Sequence, residues 1–164
     1  MMSDEVLATV QAAPARRWMA VGMLLVLGAM LIYVALTTPS DLHWRAFLLI
    51  TGGAALWMGD RLRRATEHAL ELTETELRST DGTVLARIDQ IETVERGAFA
   101  FKPSNGFLIT LHASGPRVWH PGLWWRIGRR VGVGGVVAAA QTKFMSEILS
   151  AQVAERAQLS DHTT

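Results

Sequence analysis

Apolar and polar positions divide this chain into a doubly apolar front and an alternating, mixed remainder. From Trp18 to Leu36 the sequence WMAVGMLLVLGAMLIYVAL carries no charged residue. At about 1.5 Å per residue, such a helix reaches roughly 28 Å, the depth of a bilayer's hydrocarbon core. Lipid offers no partners to backbone N–H and C=O groups, so a spanning run of this kind must be helical. A secretory signal peptide is the competing reading, with Arg16 and Arg17 as its basic flank. The run is long for that role, no small-x-small cleavage site follows, and a second apolar run comes soon after.

That second run is Leu42 to Leu62, LHWRAFLLITGGAALWMGDRL, with an uncharged centre from Ala46 to Gly59. Trp44 and Trp57 are placed to occupy the two interfaces, and Arg45 to snorkel outward along its own stem. The linker TTPSD is long enough only for a turn, so the two helices are predicted antiparallel, forming a hairpin over residues 16–64 with spans at about 18–36 and 42–62. Thr51, Ala55 and Gly59 recur on one helical face, with Gly52 and Gly53 adding small surface. A stripe of this kind admits close helix packing, on the first helix or on another protein.

Beyond Arg64 the period shortens. The segment RRATEHALE reads as a short helical linker. Glu76–Ser79 and Thr83–Ala86 flank Thr80-Asp81-Gly82, a hairpin signal. Ile91 to Arg96 is a further strand, Phe99 and Phe101 alternate, and KPSNG turns the chain. Phe107, Ile109 and Leu111 alternate with Leu108, Thr110 and His112, predicting a strand apolar on both faces. Ser114-Gly115-Pro116 reads as a turn, followed by an extended Arg117–His120 and one or two strands within PGLWWRIGRRVGVGG. From Ala138 to about Arg156 a helix is predicted, with Phe144, Met145, Ile148, Leu149 and Val153 on one stripe. Residues 1–15 and 157–164 read as disordered. The fold class is therefore α+β: a helical hairpin, then an antiparallel β module over 68–156 closed by an amphipathic helix.

The stretch LELTETELRSTDGTVLARIDQIETVERGAFAFKPSNGFLITL resembles the bacterial pleckstrin-homology-like (PH-like) domains of small membrane proteins. Leu77, Asp81, Gly82, Ile88, Ile91 and Val94 follow that family's order of strand, Asp-Gly turn, strand and spaced Ile/Val positions. The resemblance covers residues 68–155. It implies a bent antiparallel β-barrel or sandwich plugged by the terminal helix, with Phe144, Ile148 and Leu149 as the plug. Two membrane helices ahead of such a domain are common in the family. Residues 121–135 also resemble a signature of alphaproteobacterial two-helix membrane proteins, a type that brings no established activity with it.

Composition narrows the picture. At 164 residues there is room for one modest domain plus an anchor. A net charge of +1 gives no general attraction to nucleic acid, and the absence of cysteine excludes disulfides and thiolate metal sites. Arg16 and Arg17 precede the first run, Arg61, Arg63 and Arg64 close the second, and the connecting loop region has only Arg45 near Asp41. The positive-inside rule then places both termini in the cytoplasm and the short loop outside; the resemblance to bacterial membrane proteins implies that the membrane is a bacterial inner membrane. Charge is also split along the module. Glu67 to Glu95 holds eight acids against Arg78 and Arg87, while Arg96 to Met145 holds no acid and seven cations, Lys102 among them. Either the two segments pair internally, or the basic one faces anionic lipid, with Trp124, Trp125, Arg126, Arg129 and Arg130 as the candidate membrane or partner surface.

Catalytic patterns fail at required positions. Gly132 and Gly134 open a dinucleotide-like fingerprint, but its third glycine position is Val137 and no second strand follows. There is no Gly-Lys-Ser/Thr for a Walker loop, no Gly-x-Ser-x-Gly elbow, and no HxxxH pairing among His43, His68, His112, His120 and His162. The glycines instead suggest a curved strand approaching the capping helix. Glu71, Glu74 and Glu76 read as a solvated run. No charge lies at the centre of either apolar helix, which argues against an ion path. The expectation is a non-enzymatic membrane protein without cofactor or metal, its module an adaptor for the anionic leaflet or a protein partner, with self-association also expected. An accessory or assembly subunit of a larger respiratory or photosynthetic type complex is the alternative, and an enzyme or transporter component the least favoured.

Overall fold

The computed structural model describes residues 5–39, 41–96 and 103–161. Phe99, Phe101, Lys102, His162 and the extreme ends lie outside them. In chain order the elements are β1 (Ala8–Val10), α1 (Pro14–Thr37), α2 (Leu42–Ala65), β2 (Leu70–Leu72), β3 (Glu76–Ser79), β4 (Val84–Arg87), β5 (Ile91–Glu95), β6 (Phe107–His120), β7 (Trp124–Val133) and α3 (Ala139–Asp161).

Spacing explains how α1 and α2 pair. The buried residues of α1, Val21, Gly28 and Ala35, recur every seven positions. Those of α2 include Leu48, Gly52, Gly59 and Leu62. Seven residues are close to two turns, so each helix keeps one narrow face on its partner. Gly28 and Gly52 meet at the crossing: a Cβ on Gly28 would lie 2.8 Å from the Gly52 carbonyl oxygen, and one on Gly52 would lie 2.8 Å from Ile32. Gly59 faces Leu24 and Leu25 while Gly52 faces Ile32, so the helices run antiparallel. Thr51 and Ala55 are half-buried.

Only α1, among the described residues, is long and apolar enough to cross a membrane, with a mean hydropathy of 2.5 in its best window. The second predicted span forms a helix but falls short of that mark, because Arg45 and the Asp60-Arg61 pair confine its uncharged centre to Ala46–Gly59.

Two antiparallel sheets follow, one ordered β1-β2-β3-β4 and the other β5-β6-β7. They share one core: Leu70, Leu72, Leu77 and Leu85 from the first sheet, Phe107, Ile109, Leu111, Val131 and Val133 from the second, and Met145 and Leu149 from α3. No ladder joins the sheets among the described residues, so the strands do not close into a barrel.

Several expectations are corrected. Part of the expected disordered N-terminus is β1, paired Ala8↔Leu72 and Val10↔Leu70, with Ala8 and Val10 buried and Thr9 exposed. The expected tail from residue 157 continues α3 to Asp161. The linker after Arg64 is helical only to Ala65, because Leu70–Leu72 is recruited as β2. Ser114-Gly115-Pro116 is no turn: β6 runs through it, and Pro116 falls between the laddered pairs Gly115↔Gly128 and Val118↔Arg126, where its missing N–H breaks no bond. Phe144 is 56% exposed, so the face of α3 on the core is Met145, Ser146 and Leu149, with Ile148 and Val153 at its margin.

Two contrasts test this packing. Gly52→Leu is expected to cost about 1–3 kcal/mol of stability by overpacking the helix crossing, whereas Gly53→Leu, which meets nothing within 4 Å, leaves the detergent-solubilised melting point unchanged. Leu149→Ala is expected to cost about 2–5 kcal/mol, and Phe144→Ala less than about 0.5 kcal/mol, by the same thermal melts.

Candidate functional site

The module meets the helix pair at a joint made by four segments. The turn between β6 and β7 places Gly122, at φ +78°, so that a Cβ there would lie 2.5 Å from Leu62 Cδ1 and 3.4 Å from Thr66 Cγ2. A side chain there would force Leu62 to move, and an L-residue disfavours that φ. On its other side the Gly122 carbonyl accepts the Val136 N–H at 3.0 Å, and the Leu123 carbonyl accepts that of Gly134 at 2.9 Å. The chain ahead of α1 closes the joint: Ala13 N–H donates to the Val136 carbonyl, and Arg16 Nη1 donates to the Val137 carbonyl. Arg17 Nη2 reaches the Arg63 carbonyl at 3.1 Å and Glu67 at 3.5 Å. The glycine-rich stretch therefore seats the backbone of the 120–124 turn, rather than easing a strand onto α3.

Side-chain alternation along β6 and β7 sorts the candidate surface. Next to the turn, Trp124 and His120 stack at 5.0 Å on the core side, and Trp124 is 1% exposed. Arg126 follows Trp124 inward; its guanidinium lies over Gly115 and its Nη1 is 3.5 Å from the Leu85 carbonyl. Trp119, Trp125 and Ile127 take the outer face with Arg117. The phase then flips, since Val131 and Val133 are buried further along. Gly128, at φ +60°, and the register shifts around Gly115 absorb that flip, as a bulge does. The ribbon curls enough to lay Trp125 over Gly132.

Of the predicted surface residues, Trp124 thus belongs to the core and Arg126 is turned inward. Arg129 donates Nε to the Leu111 carbonyl at 2.8 Å and pairs with Glu92. Arg130 is exposed, with no ion-pair partner among the described residues. Internal pairing thus claims part of the basic segment, as Arg96 with Glu147 also does.

A second basic cluster, not singled out from sequence, sits at the joint. Arg61, Arg64, Ala65, His68, Trp119, His120 and Pro121 line an open cleft of about 200 Å³. The Arg61 guanidinium lies 5.6 Å from the Trp57 ring centre and 6.0 Å from that of Trp119. Burial pushes the His120 imidazole below its ordinary 6.5, with His68 and Arg61 adding to the effect and Asp81 opposing it. Burial alone would raise the Asp81 carboxyl, but the hydrogen bond from the Thr83 N–H at 2.9 Å, together with the nearby Thr83 and Ser79 hydroxyls, brings it below its usual value. The cluster escapes a linear reading because α2 and the end of β6 are more than fifty residues apart; the signal available was Trp119-His120-Pro121 next to a turn. Among the described residues no group of three metal-binding side chains converges. No protein-family model, no curated protein and no solved structure matches the chain.

His120 is expected to titrate below 6.5 in an NMR titration of the micelle-bound protein. Because its folded value is depressed, its contribution to stability is present above pH 6.5 and lost as pH falls through the folded value. Trp124 Nε1 is buried without a hydrogen-bond partner among the described residues. Trp124→Phe, which keeps a ring and removes that N–H, is therefore expected to be far milder than Trp124→Ala, at about 3–5 kcal/mol.

Proposed function

We propose that this chain is a non-enzymatic bacterial inner-membrane protein. In this reading α1 and α2 insert as a hairpin with both termini in the cytoplasm. The module is PH-like in build and acts as an adaptor on the inner-leaflet surface. The observation that carries the proposal is the outward face of the helix pair. Trp18, Met19, Met23, Val26, Met30 and Tyr33 of α1 are all more than half exposed, as are Phe47, Ile50 and Trp57 of α2. A core helix of a soluble protein passes the same length and composition test but is mostly covered, whereas 17% of the α1 window is buried. An exposed apolar belt of this extent calls for lipid or protein around it.

The ends of the belt support the orientation. Arg17 lies 5.4 Å from the Trp18 ring centre and Arg61 lies beside Trp57, so aromatic and basic side chains collar the end that carries the module. Two sheets around one core, with α3 against them, support the PH-like reading. The outer Trp119, Trp125 and Ile127 supply apolar surface on the module for the leaflet or a partner. The assembly-subunit alternative draws on the small-residue stripe of α2 and on the Trp/Arg segment of β7. Gly52 and Gly59 are used inside the pair, which leaves that alternative the Trp125 and Arg130 end of the module alone.

Membrane fractionation and terminal reporter fusions test the proposal. The chain is expected to stay in the membrane pellet after an alkaline wash, with cytoplasmic reporters active at both ends. A soluble chain, or a periplasmic C-terminus, would sink it.

A further inference from the structure

We infer that the cleft at the joint holds the phosphate of an anionic lipid headgroup, with Arg61 and Arg64 as its charge-bearing ligands and His68 and His120 as flanking hydrogen-bonding groups. This rests on the membrane reading above and adds to it a site, a ligand class and a position along the helix.

The charges around the cleft favour an anion. No carboxylate lines it. Asp60, on α2, pairs with Arg64 Nε at 2.8 Å and Arg63 at 3.7 Å and offsets one of those two charges, while Asp81, whose charge reaches His120, is held by Thr83 in the turn ahead of β4. Arg61 has no ion-pair partner among the described residues, and the rings of Trp57 and Trp119 hold its guanidinium. A guanidinium so fixed loses less freedom on meeting a phosphate and offers it a planar fork.

The end of α2 does not oppose this. The last carbonyls of a helix repel an anion, but here three of the last four are occupied. The Leu62 carbonyl accepts the Thr66 N–H and hydroxyl, that of Arg63 accepts Arg17, and that of Arg64 accepts the Glu67 N–H. Arg64 gives Asp60 its Nε, and its terminal amino groups have no hydrogen-bond partner among the described residues. Three of the four terminal carbonyls are thus engaged, and Arg61 and Arg64 line the cleft.

Depth selects the kind of phosphate. Trp57 and Arg61 are one helical turn apart and mark where the uncharged centre of α2 ends. A phosphate at that level belongs to a lipid whose chains lie along the exposed face of the pair. Ala65 and Pro121 leave the cleft shallow and open, suited to a headgroup arriving from the side.

The test uses the full-length protein extracted in mild detergent and native mass spectrometry. Phosphatidylglycerol, phosphatidylcholine and soluble glycerol phosphate are the three probes. Phosphatidylglycerol adducts are expected to exceed phosphatidylcholine adducts, and to fall about fivefold for each arginine removed in R61Q and R61Q/R64Q. R61K/R64K, which keeps the charges but loses the planar forks, is expected to retain only part of them, and R87Q, at an exposed pair with Asp89, to leave them unchanged. Equal retention of the two lipids, or an undiminished adduct in R61Q/R64Q, would overturn the site. If glycerol phosphate binds as well as the lipid and is lost in the same variants, the ligand is a soluble phosphate and the lipid assignment fails. The pellet assay run on the same samples separates the two readings. An undiminished adduct in R61Q/R64Q, with the chain still in the membrane, overturns the cleft alone. A soluble wild-type chain overturns the membrane reading and the lipid site with it.

Discussion

The contact of the Pro121-Gly122 turn with the last turn of α2 fixes the relation between the two halves of this molecule. Without a side chain, Gly122 lets Leu62 and Thr66 rest against its backbone, and its carbonyl is committed to Val136. Every feature of the basic cleft follows from that seat. It brings the end of β6, with Trp119 and His120, beside Arg61 and Arg64 on an element far away in sequence. It also places the outer face of the β6–β7 ribbon on the side where the apolar helices end.

Helix pair and module obey different packing rules. Between α1 and α2 the contact is backbone to backbone across Gly28 and Gly52, and the large apolar side chains look outward. Within the module the reverse holds: Leu70, Phe107, Ile109 and Leu149 interdigitate inside and charges lie on the rim. Hydrophobic burial accounts for the second arrangement but not for the first, which leaves its greasiest surface uncovered. Close packing of small residues is the device that holds helices together where the surroundings are themselves apolar.

Much of this is legible in the residue pattern, and the losses have identifiable causes. The apolar run of α1, the Asp81-Gly82 hairpin and the amphipathic α3 rest on local periodicity, so they can be read directly. Strand β1 cannot, because three residues become a strand only through pairing with Leu70–Leu72, some sixty positions away. A two-residue period, counted without a bulge, gives no way to tell the inner from the outer phase, and so puts Trp124 and Arg126 on the surface. Gly115 and Gly128 reset that phase, and Ser114-Gly115-Pro116 has the same composition whether it turns a chain or kinks a strand. The cleft is a product of tertiary placement alone.

The ties across the joint also have a mechanical meaning. Only residues 66–69 separate α2 from β2, and the segment before α1 is bonded to Val136 and Val137 beside the Gly122 turn. Entry and exit segments are thus both tied to the joint around Gly122. If the helices span a bilayer as proposed, a change in their inclination with bilayer thickness would carry through this joint to the module. On that reading, the angle at which the module presents its outer face follows the thickness of the membrane.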